Sequence, residues 1–370
     1  MIFYATCAYG LEGALSRELK GLGFTVIDTQ TSRVAFEGGF DEASRANLML
    51  RTAGRVRLQT GQFDCKTFDE LFENIVNIPW ENYIEKGVRF HITARSLSSE
   101  LHSVPAIQSI AQKAIFERLS KKYRQQQFFG QDKYSIEVHI YKDHVSVSID
   151  TTGEPLHKRG YRILNPEAAL RETLAAALVI YSGWRCDWPL LDPFCGSGTI
   201  VVEAAMFAAN MPPGANRGFS SEQWPWWDKK AWDRQRQKAK DEIVRTSLPA
   251  IIGSDNDEKV LLMAKTHIKK AGLTNVITIL KADATTMSLS QPEGYIVTNP
   301  PYGERMGEER MIKELYLKFF KNINSYRGWS CNFLSARGDV EKLAERKANK
   351  KRKLKNGQID CTYYQFFTRR

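Results

Sequence analysis

The sequence predicts an α/β protein: a class of fold in which a mainly parallel sheet is covered by helices, here preceded by a smaller α+β region. Three observations predict it. From about residue 167 onward, short apolar runs alternate with stretches of helical periodicity, which implies crossover connections and a parallel sheet buried on both faces. The first 150 residues carry paired alternating strands with fewer helices. Between the two, the stretch from Thr151 to Pro166 is polar, holds Gly and Pro, and follows neither period, as a connector does. A chain of 370 residues suits two or three domains rather than one.

In the first half, Met1–Cys7 reads as a short apolar strand, Leu11–Leu22 as a helix, and Thr25–Thr29 and Arg33–Phe36 as strands around a turn. Asp41 is placed to cap a helix whose apolar side includes Ala43, Ala46, Leu48 and Leu50. Val88–Ala94 alternates as a strand, Ser103 precedes a helix over Pro105–Lys122, and Tyr134–Ile140 with His144–Asp150 forms a hairpin around Lys142-Asp143.

In the second half the expected order begins with helix Glu167–Ser182, strand Trp188–Asp192, helix Thr199–Ala209, strand Ala250–Ser254 and helix Glu258–Ala271. It continues with strands Val276–Leu280 and Tyr295–Thr298, helix Glu308–Tyr326 and strand Ser330–Leu334. Lys351–Leu354 and Asp360–Phe367 flank Asn356-Gly357, a hairpin signal that puts an antiparallel pair at one edge of the sheet. The stretch 211–245 interrupts the alternation and holds Trp224, Trp226, Trp227 and Trp232, with seven Lys or Arg between Lys229 and Arg245. It reads as an insertion whose helix is solvated on one side and packed by its tryptophans on the other, with an RNA-touching surface as the alternative.

Lys and Arg number 53 against 42 Asp and Glu, a net charge of +11, and this balance favours a polyanionic partner, nucleic acid above all. The sequence shows no apolar run of about 18 residues and no basic-then-apolar leader, so a soluble, cytoplasmic protein without a membrane partner is expected. Six scattered cysteines form no CxxC pair and have no His at zinc spacing, which points to reduced thiols and no structural metal.

Three motifs carry chemistry. Asp192-Pro193-Phe194-Cys195-Gly196-Ser197-Gly198-Thr199 spans a strand end and a helix start, where open α/β sheets bind ligands. Its two glycines let backbone turn sharply and approach a ligand, and the spelling matches neither GxGxxG nor a phosphate-binding P-loop. Asp255 (followed by Asn256) and Asp283 (followed by Ala284) come directly after the next two strands, so three carboxylates fall on one sheet edge. Asp255 is placed to accept ribose hydroxyls and Asp283 an adenine amino group; helix capping is the competing role for each. The third motif is Asn299-Pro300-Pro301-Tyr302. Two prolines stiffen the loop, the Asn299 oxygen and Pro300 carbonyl can each accept one N–H of a base amine, and Tyr302 offers a face for the base.

Taken in this order, the motifs closely resemble class I methyltransferases that modify amino groups. With His157-Lys158-Arg159-Gly160-Tyr161-Arg162, Leu174-Ala175-Ala176-Ala177 and the hairpin Lys353–Phe366, the chain is similar to the subgroup carrying a THUMP domain, and within it to bacterial RlmL-type ribosomal RNA guanine-N2 methyltransferases. The resemblance implies a ferredoxin-like lead-in at 1–43, a THUMP RNA-binding domain at 44–152, a linker at 153–166 and a methyltransferase domain at 167–370. It implies S-adenosylmethionine (SAM) as cofactor, held by Asp192, Cys195, Gly196, Gly198, Asp255, Asn256, Asp283 and Ala284, and Asn299, Pro300, Pro301 and Tyr302 as catalytic residues. The implied partner is structured RNA, 23S ribosomal RNA or a pre-ribosomal particle. A tRNA guanine-N2 enzyme, an adenine-N6 enzyme acting on DNA or RNA, and a non-catalytic RNA-binding assembly factor are the alternatives. Arg95, His102, Lys121, Lys122 and Arg124 are candidates for touching RNA.

Overall fold

The computed structural model describes residues 1–124, 129–163, 170–303 and 309–368, with backbone alone for 129–132. The expected starts of two helices, at Glu167 and Glu308, and the connector's end at Pro166 lie outside the described residues.

The N-terminal half runs β1 (Ile2–Thr6), α1 (Glu12–Gly21), β2 (Thr25–Gln30), β3 (Arg33–Glu37), α2 (Phe40–Met49), β4 (Arg55–Asp64) and α3 (Phe68–Asn77). It continues with β5 (Val88–Leu97), α4 (Val104–Tyr123), β6 (Phe129–Tyr141) and β7 (His144–Asp150). All seven strands join one sheet in the order β2-β3-β1-β4-β7-β6-β5. The link is β4, which pairs antiparallel with β1 on one side and β7 on the other. Neither β4 nor α3 stands out in the sequence pattern, although α3 carries its own signal: Thr67 accepts from the Glu70 N–H while the Glu70 carboxylate accepts from the Thr67 N–H. Asp41 does not cap α2. Gly39 occupies the cap position, its N–H donating to Glu42, and Asp41 lies in the first turn, paired with Arg234.

Alternation assigns the sheet's two faces. Phe3, Ala5, Val56 and Leu58 enter the core under the helices. Tyr4, Arg33, Arg57 and Arg95 take the other face, where the Tyr4 hydroxyl donates to Gln59 and Glu137 lies 3.4 Å from both Arg57 and Arg95.

The C-terminal half runs α5 (Glu172–Ser182), β8 (Leu190–Asp192), α6 (Thr199–Ala208), α7 (Lys229–Asp241), β9 (Ile251–Asp255), α8 (Glu258–Lys270) and β10 (Ile277–Lys281). There follow β11 (Glu293–Thr298), α9 (Glu309–Ile323), β12 (Gly328–Ser335), α10 (Val340–Leu343), β13 (Lys350–Asn356) and β14 (Ile359–Phe366). The second sheet has the order β10-β9-β8-β11-β12-β14-β13. The first five of these strands are parallel and the hairpin is antiparallel, as the alternation implies. Asn356 pairs with Ile359, so the two-residue turn is Gly357-Gln358 and Asn356 stays in the strand. The strand order reverses at β8, with β9 and β10 added on one side and β11 and β12 on the other, which opens a crevice at its carboxyl end.

The insertion does not lie on the surface of its own domain. Trp224, Trp227 and Trp232 are buried in the N-terminal core cluster. Trp224 sits 5.1 Å from Tyr134 and the Trp226 indole donates to the Tyr83 carbonyl at 2.7 Å. Two of the seven basic residues are committed to ion pairs: Arg234 with Asp41 and Asp228, Arg236 with Glu222. The Arg45–Glu242 pair ties α2 to the segment after α7. The tryptophans thus clamp one half of the molecule onto the other.

The connector also works by burial. Arg159 is buried and donates to the carbonyls of Leu156 and Arg51, while the Tyr161 hydroxyl donates to Glu203 of α6 at 3.1 Å. At the opposite edge of the contact, the Tyr181 hydroxyl donates to the Gly10 carbonyl and accepts from the Ala14 N–H of α1.

Candidate functional site

The glycine turn is built by β8 and β9 together. The Cys195 N–H donates to the Ser254 carbonyl at 2.9 Å, which folds the loop back over the sheet edge. Gly196 and Gly198 both have positive φ, +50° and +82°. Gly198 lies against α8, where a Cβ would come within 3.1 Å of Ala264. A Cβ at Gly196 would meet no protein atom within 4 Å, because its open side faces a cleft. Arg162 of the connector reaches this turn, donating to the Thr199 hydroxyl at 2.7 Å. The sequence offers no spacing rule that would find Arg162 or Glu203, since both act across long separations.

The carboxylates divide their work. Asp255 accepts from the Gly196 N–H at 3.0 Å and from the Asp257 N–H at 3.1 Å, and the cap of α8 is Asp257 instead. Asp283 accepts from the Thr285 N–H and hydroxyl, bonds that hold its carboxyl below the usual carboxylate range and keep it ionised. Asn322 of α9 fixes that turn by donating to the carbonyls of Ala284 and Met287. Asp192 is buried and accepts from the Thr298 hydroxyl at 2.6 Å and the Phe194 N–H, tying β8 to β11. Burial pushes its carboxyl up to about 7. Burial, followed by Asp192, also pushes the Cys195 thiol up, so the sulfur stays protonated.

Two clefts meet along this edge. The larger, about 350 Å³, is bounded by Gly196, Asp255, Asn256, Asp283, Ala284 and Asn299, with Phe194, Val260, Pro301 and Leu315 as its apolar walls. The smaller, about 180 Å³, holds Asp192, Cys195, Gly196, Ser197 and Thr199 at the start of α6, and shares Phe194, Val260 and Asn299 with the first. Acceptors for hydroxyl groups in one cleft and a helix N-terminus in the other fit a nucleoside bearing an amino-acid tail. The unfilled space beside Gly196 joins the two.

The loop after β11 is held from both sides. Pro300 is buried and Pro301 exposed. The Pro301 carbonyl accepts from the Tyr316 hydroxyl of α9 at 2.9 Å, and the same hydroxyl lies 3.1 Å from Ser335 at the end of β12. The Tyr302 hydroxyl donates to the Asn299 side-chain oxygen, and the Asn356 amide donates to that hydroxyl at 3.5 Å. Tyr302 is half-buried against the catalytic core, so in this arrangement it first orients Asn299. Asn299 lines both clefts. Among the described residues no helix is long and apolar enough to cross a membrane.

A family described as RMKL-like, methyltransferase domain matches residues 159–365; an RlmL ferredoxin-like domain matches residues 2–57 and a THUMP domain residues 65–150. The chain is 38% identical over 368 residues to "Putative RNA methyltransferase YpsC" of Bacillus subtilis (strain 168), covering 99% of this chain and 95% of that protein. It is 28% identical to "Ribosomal RNA large subunit methyltransferase K/L" of Syntrophotalea carbinolica, covering 98% of this chain but only 53% of that longer protein. Among solved structures it resembles one described as "Crystal structure of SMU.472, a putative methyltransferase complexed with SAH", with TM-score 0.92, 36% identity and coverage of 100% and 98%. It also resembles a Listeria monocytogenes str. 4b F2365 protein named as a "predicted N6-adenine-specific DNA methylase", with TM-score 0.93, 39% identity and coverage of 100% and 96%.

Proposed function

The chain belongs to the RMKL-like methyltransferase family and is a SAM-dependent RNA methyltransferase, and from that premise we propose that it methylates the exocyclic N2 of a guanine in 23S ribosomal RNA. The observation that carries the reading is Asn299 at the junction of the two clefts, on a loop stiffened by prolines and tied to α9 and β12. The large-subunit relatives and the THUMP match support ribosomal RNA as the substrate.

Asp255 receives the ribose hydroxyls of the cofactor, Asp283 with the Ala284 backbone its adenine, and the turn from Asp192 through Gly198 its methionine portion. When bound, SAM supplies an electrophilic methyl sulfonium. The protein's part is to present a nitrogen whose lone pair is ordinarily delocalised into the base. The Asn299 oxygen and the Pro300 carbonyl each accept one amine N–H and draw the nitrogen toward tetrahedral geometry, lone pair toward the methyl group. The Tyr302 hydroxyl, donating to the same Asn299 oxygen, sets its direction. The exposed Pro301 ring and the Tyr302 edge contact the base. Most of the acceleration comes from placement of the reactants, which can supply roughly 7–11 kcal/mol.

The test is nucleoside mass spectrometry of RNA from a deletion strain, complemented with wild type or with Asn299→Ala. Loss of N2-methylguanosine from large-subunit rRNA, restored only by wild type, is expected. Loss of N6-methyladenosine instead, or loss confined to tRNA, refutes the assignment. In vitro, Asn299→Ala should lower turnover by on the order of 10²–10³, as removal of one preorganised polar group does, with SAH affinity unchanged.

A further inference from the structure

The larger cofactor cleft is lined by Asp255, Asp257 and Asp283, the smaller by Asp192. A third cleft, about 350 Å³, has the opposite character and lies where all regions of the chain meet. Arg55 and Arg95 enter it from the open face of the first sheet, His157 from the connector, and Arg171 and Lys355 from the catalytic domain. None of its lining residues is an Asp or Glu among the described residues.

The cations differ in how far they are committed. Arg55 is bound to Asp150 and the Gly153 carbonyl. Arg95 is 73% exposed and its contact with Glu137 is long at 3.4 Å. Arg171 is exposed, and Lys355 lies 3.3 Å from the largely exposed Asp360. His157 adds no charge to this cleft. Burial, then Arg171 and Arg159, push it down to about 4, so it is neutral at physiological pH in a place already crowded with positive charge.

Position connects the cleft to the reaction. Asn356 lines it and reaches the Tyr302 hydroxyl, so the cleft adjoins the loop that receives the target amine. Leu170 lines the smaller cofactor cleft while its neighbour Arg171 lines this one. Tyr9, 50% exposed, adds an aromatic face on the far wall. The volume is near the lower end of small-molecule sites, about 300–1,000 Å³; a double helix cannot enter, whereas a single nucleotide can.

Resting on the RNA methyltransferase reading, we propose that this cleft takes the single-stranded RNA next to the target nucleotide, its phosphates on Arg95, Arg171 and Lys355 and a base against Tyr9. The target base must leave its stack to reach Asn299, which costs least where the strand is already unpaired. Only a fixed spacing between the two halves keeps Arg95 opposite Lys355, and the tryptophan clamp and buried connector supply it.

The test uses the full chain, an in vitro transcript of large-subunit rRNA and a salt titration of binding. Each phosphate contact to a single strand contributes about 0.7 to the slope of log K against log salt. The combined variant Arg95→Gln, Arg171→Gln and Lys355→Gln should therefore lose about 2 from the slope, and each single variant about 0.7, with SAH affinity unchanged. If the combined variant fails to fold, the single variants give the same reading. Unchanged slope and affinity in folded variants overturn the proposal. Binding is read without methyl transfer, so a wrong choice of base or nucleotide leaves the result standing. Conversely, an unchanged slope sinks the cleft whichever base is methylated.

Discussion

Replacing Trp224 by alanine tests how the two halves are joined. Trp224 belongs to the catalytic domain by sequence, yet it is fully buried against Tyr134, Trp226 and Trp227, with ring centroids at 5.1, 4.9 and 5.7 Å. A buried tryptophan hides about 150–250 Å², which at about 25 cal/mol per Å² gives roughly 4–6 kcal/mol as an upper bound. Large-to-small aromatic truncations cost about 3–5 kcal/mol, so about 4 kcal/mol is expected. For a unit of 150–250 residues, about 2–4 °C per kcal/mol places the loss near 10 °C. The damage falls on the N-terminal core and the clamp, far from the glycine turn. Differential scanning calorimetry should show an early transition insensitive to SAH and a later one that SAH still raises. SAH affinity by titration calorimetry should stay near wild type, while methylation of structured RNA collapses. Trp224→Phe, which keeps a ring, should recover much of the loss. A Trp224→Ala protein melting in one transition within about 2 °C of wild type, less than 1 kcal/mol on the same scale, would refute the clamp.

Asp255→Ala removes a carboxylate proposed to accept two ribose hydroxyls; at about 1.5 kcal/mol for each charged hydrogen bond, SAH should bind about 10²-fold more weakly, and unchanged affinity by titration calorimetry removes Asp255 from the site. Asp257→Ala should instead cost about 1 kcal/mol of stability as a lost helix cap, measured by denaturant titration; no loss would contradict the capping geometry. Asp192 gives a pH test. Its native pKa of about 7 lies above the usual carboxylate value, so the folded state binds the extra proton and stability falls as pH rises from about 4 to 7. Asp192→Asn keeps the oxygen that accepts from Thr298 and Phe194, so its melting temperature relative to wild type should climb between pH 5 and 8. A difference that shrinks over that range excludes the buried, protonated carboxyl.

Periodicity made most of the catalytic domain legible. Strand-and-helix alternation from β8 to β12 follows from the need to bury both faces of a parallel sheet, and the edge hairpin from a turn dipeptide between alternating strands. The same local rules place Asp192, Asp255, Asp283 and Asn299 at strand ends, which puts them on one edge whatever the packing. They fail where a signal is not periodic. The β4 strand alternates only over Arg55–Gln59 before a register shift between Gln59 and Gly61 breaks the period, and Asp41 resembles a cap although its charge is committed to Arg234, 193 residues away.

The order of the elements and the chemistry at the ends of the parallel strands are therefore written locally, since both depend on neighbours within a few residues. Tertiary structure alone decided that the insertion's tryptophans close the N-terminal core and that a polar connector is buried on Glu203. It alone brought Asn356 to Tyr302 and Arg95 into a cleft with Lys355. These residues lie from 42 (Tyr161 and Glu203) to 260 (Arg95 and Lys355) positions apart, and only the packing of the two halves against each other sets such distances.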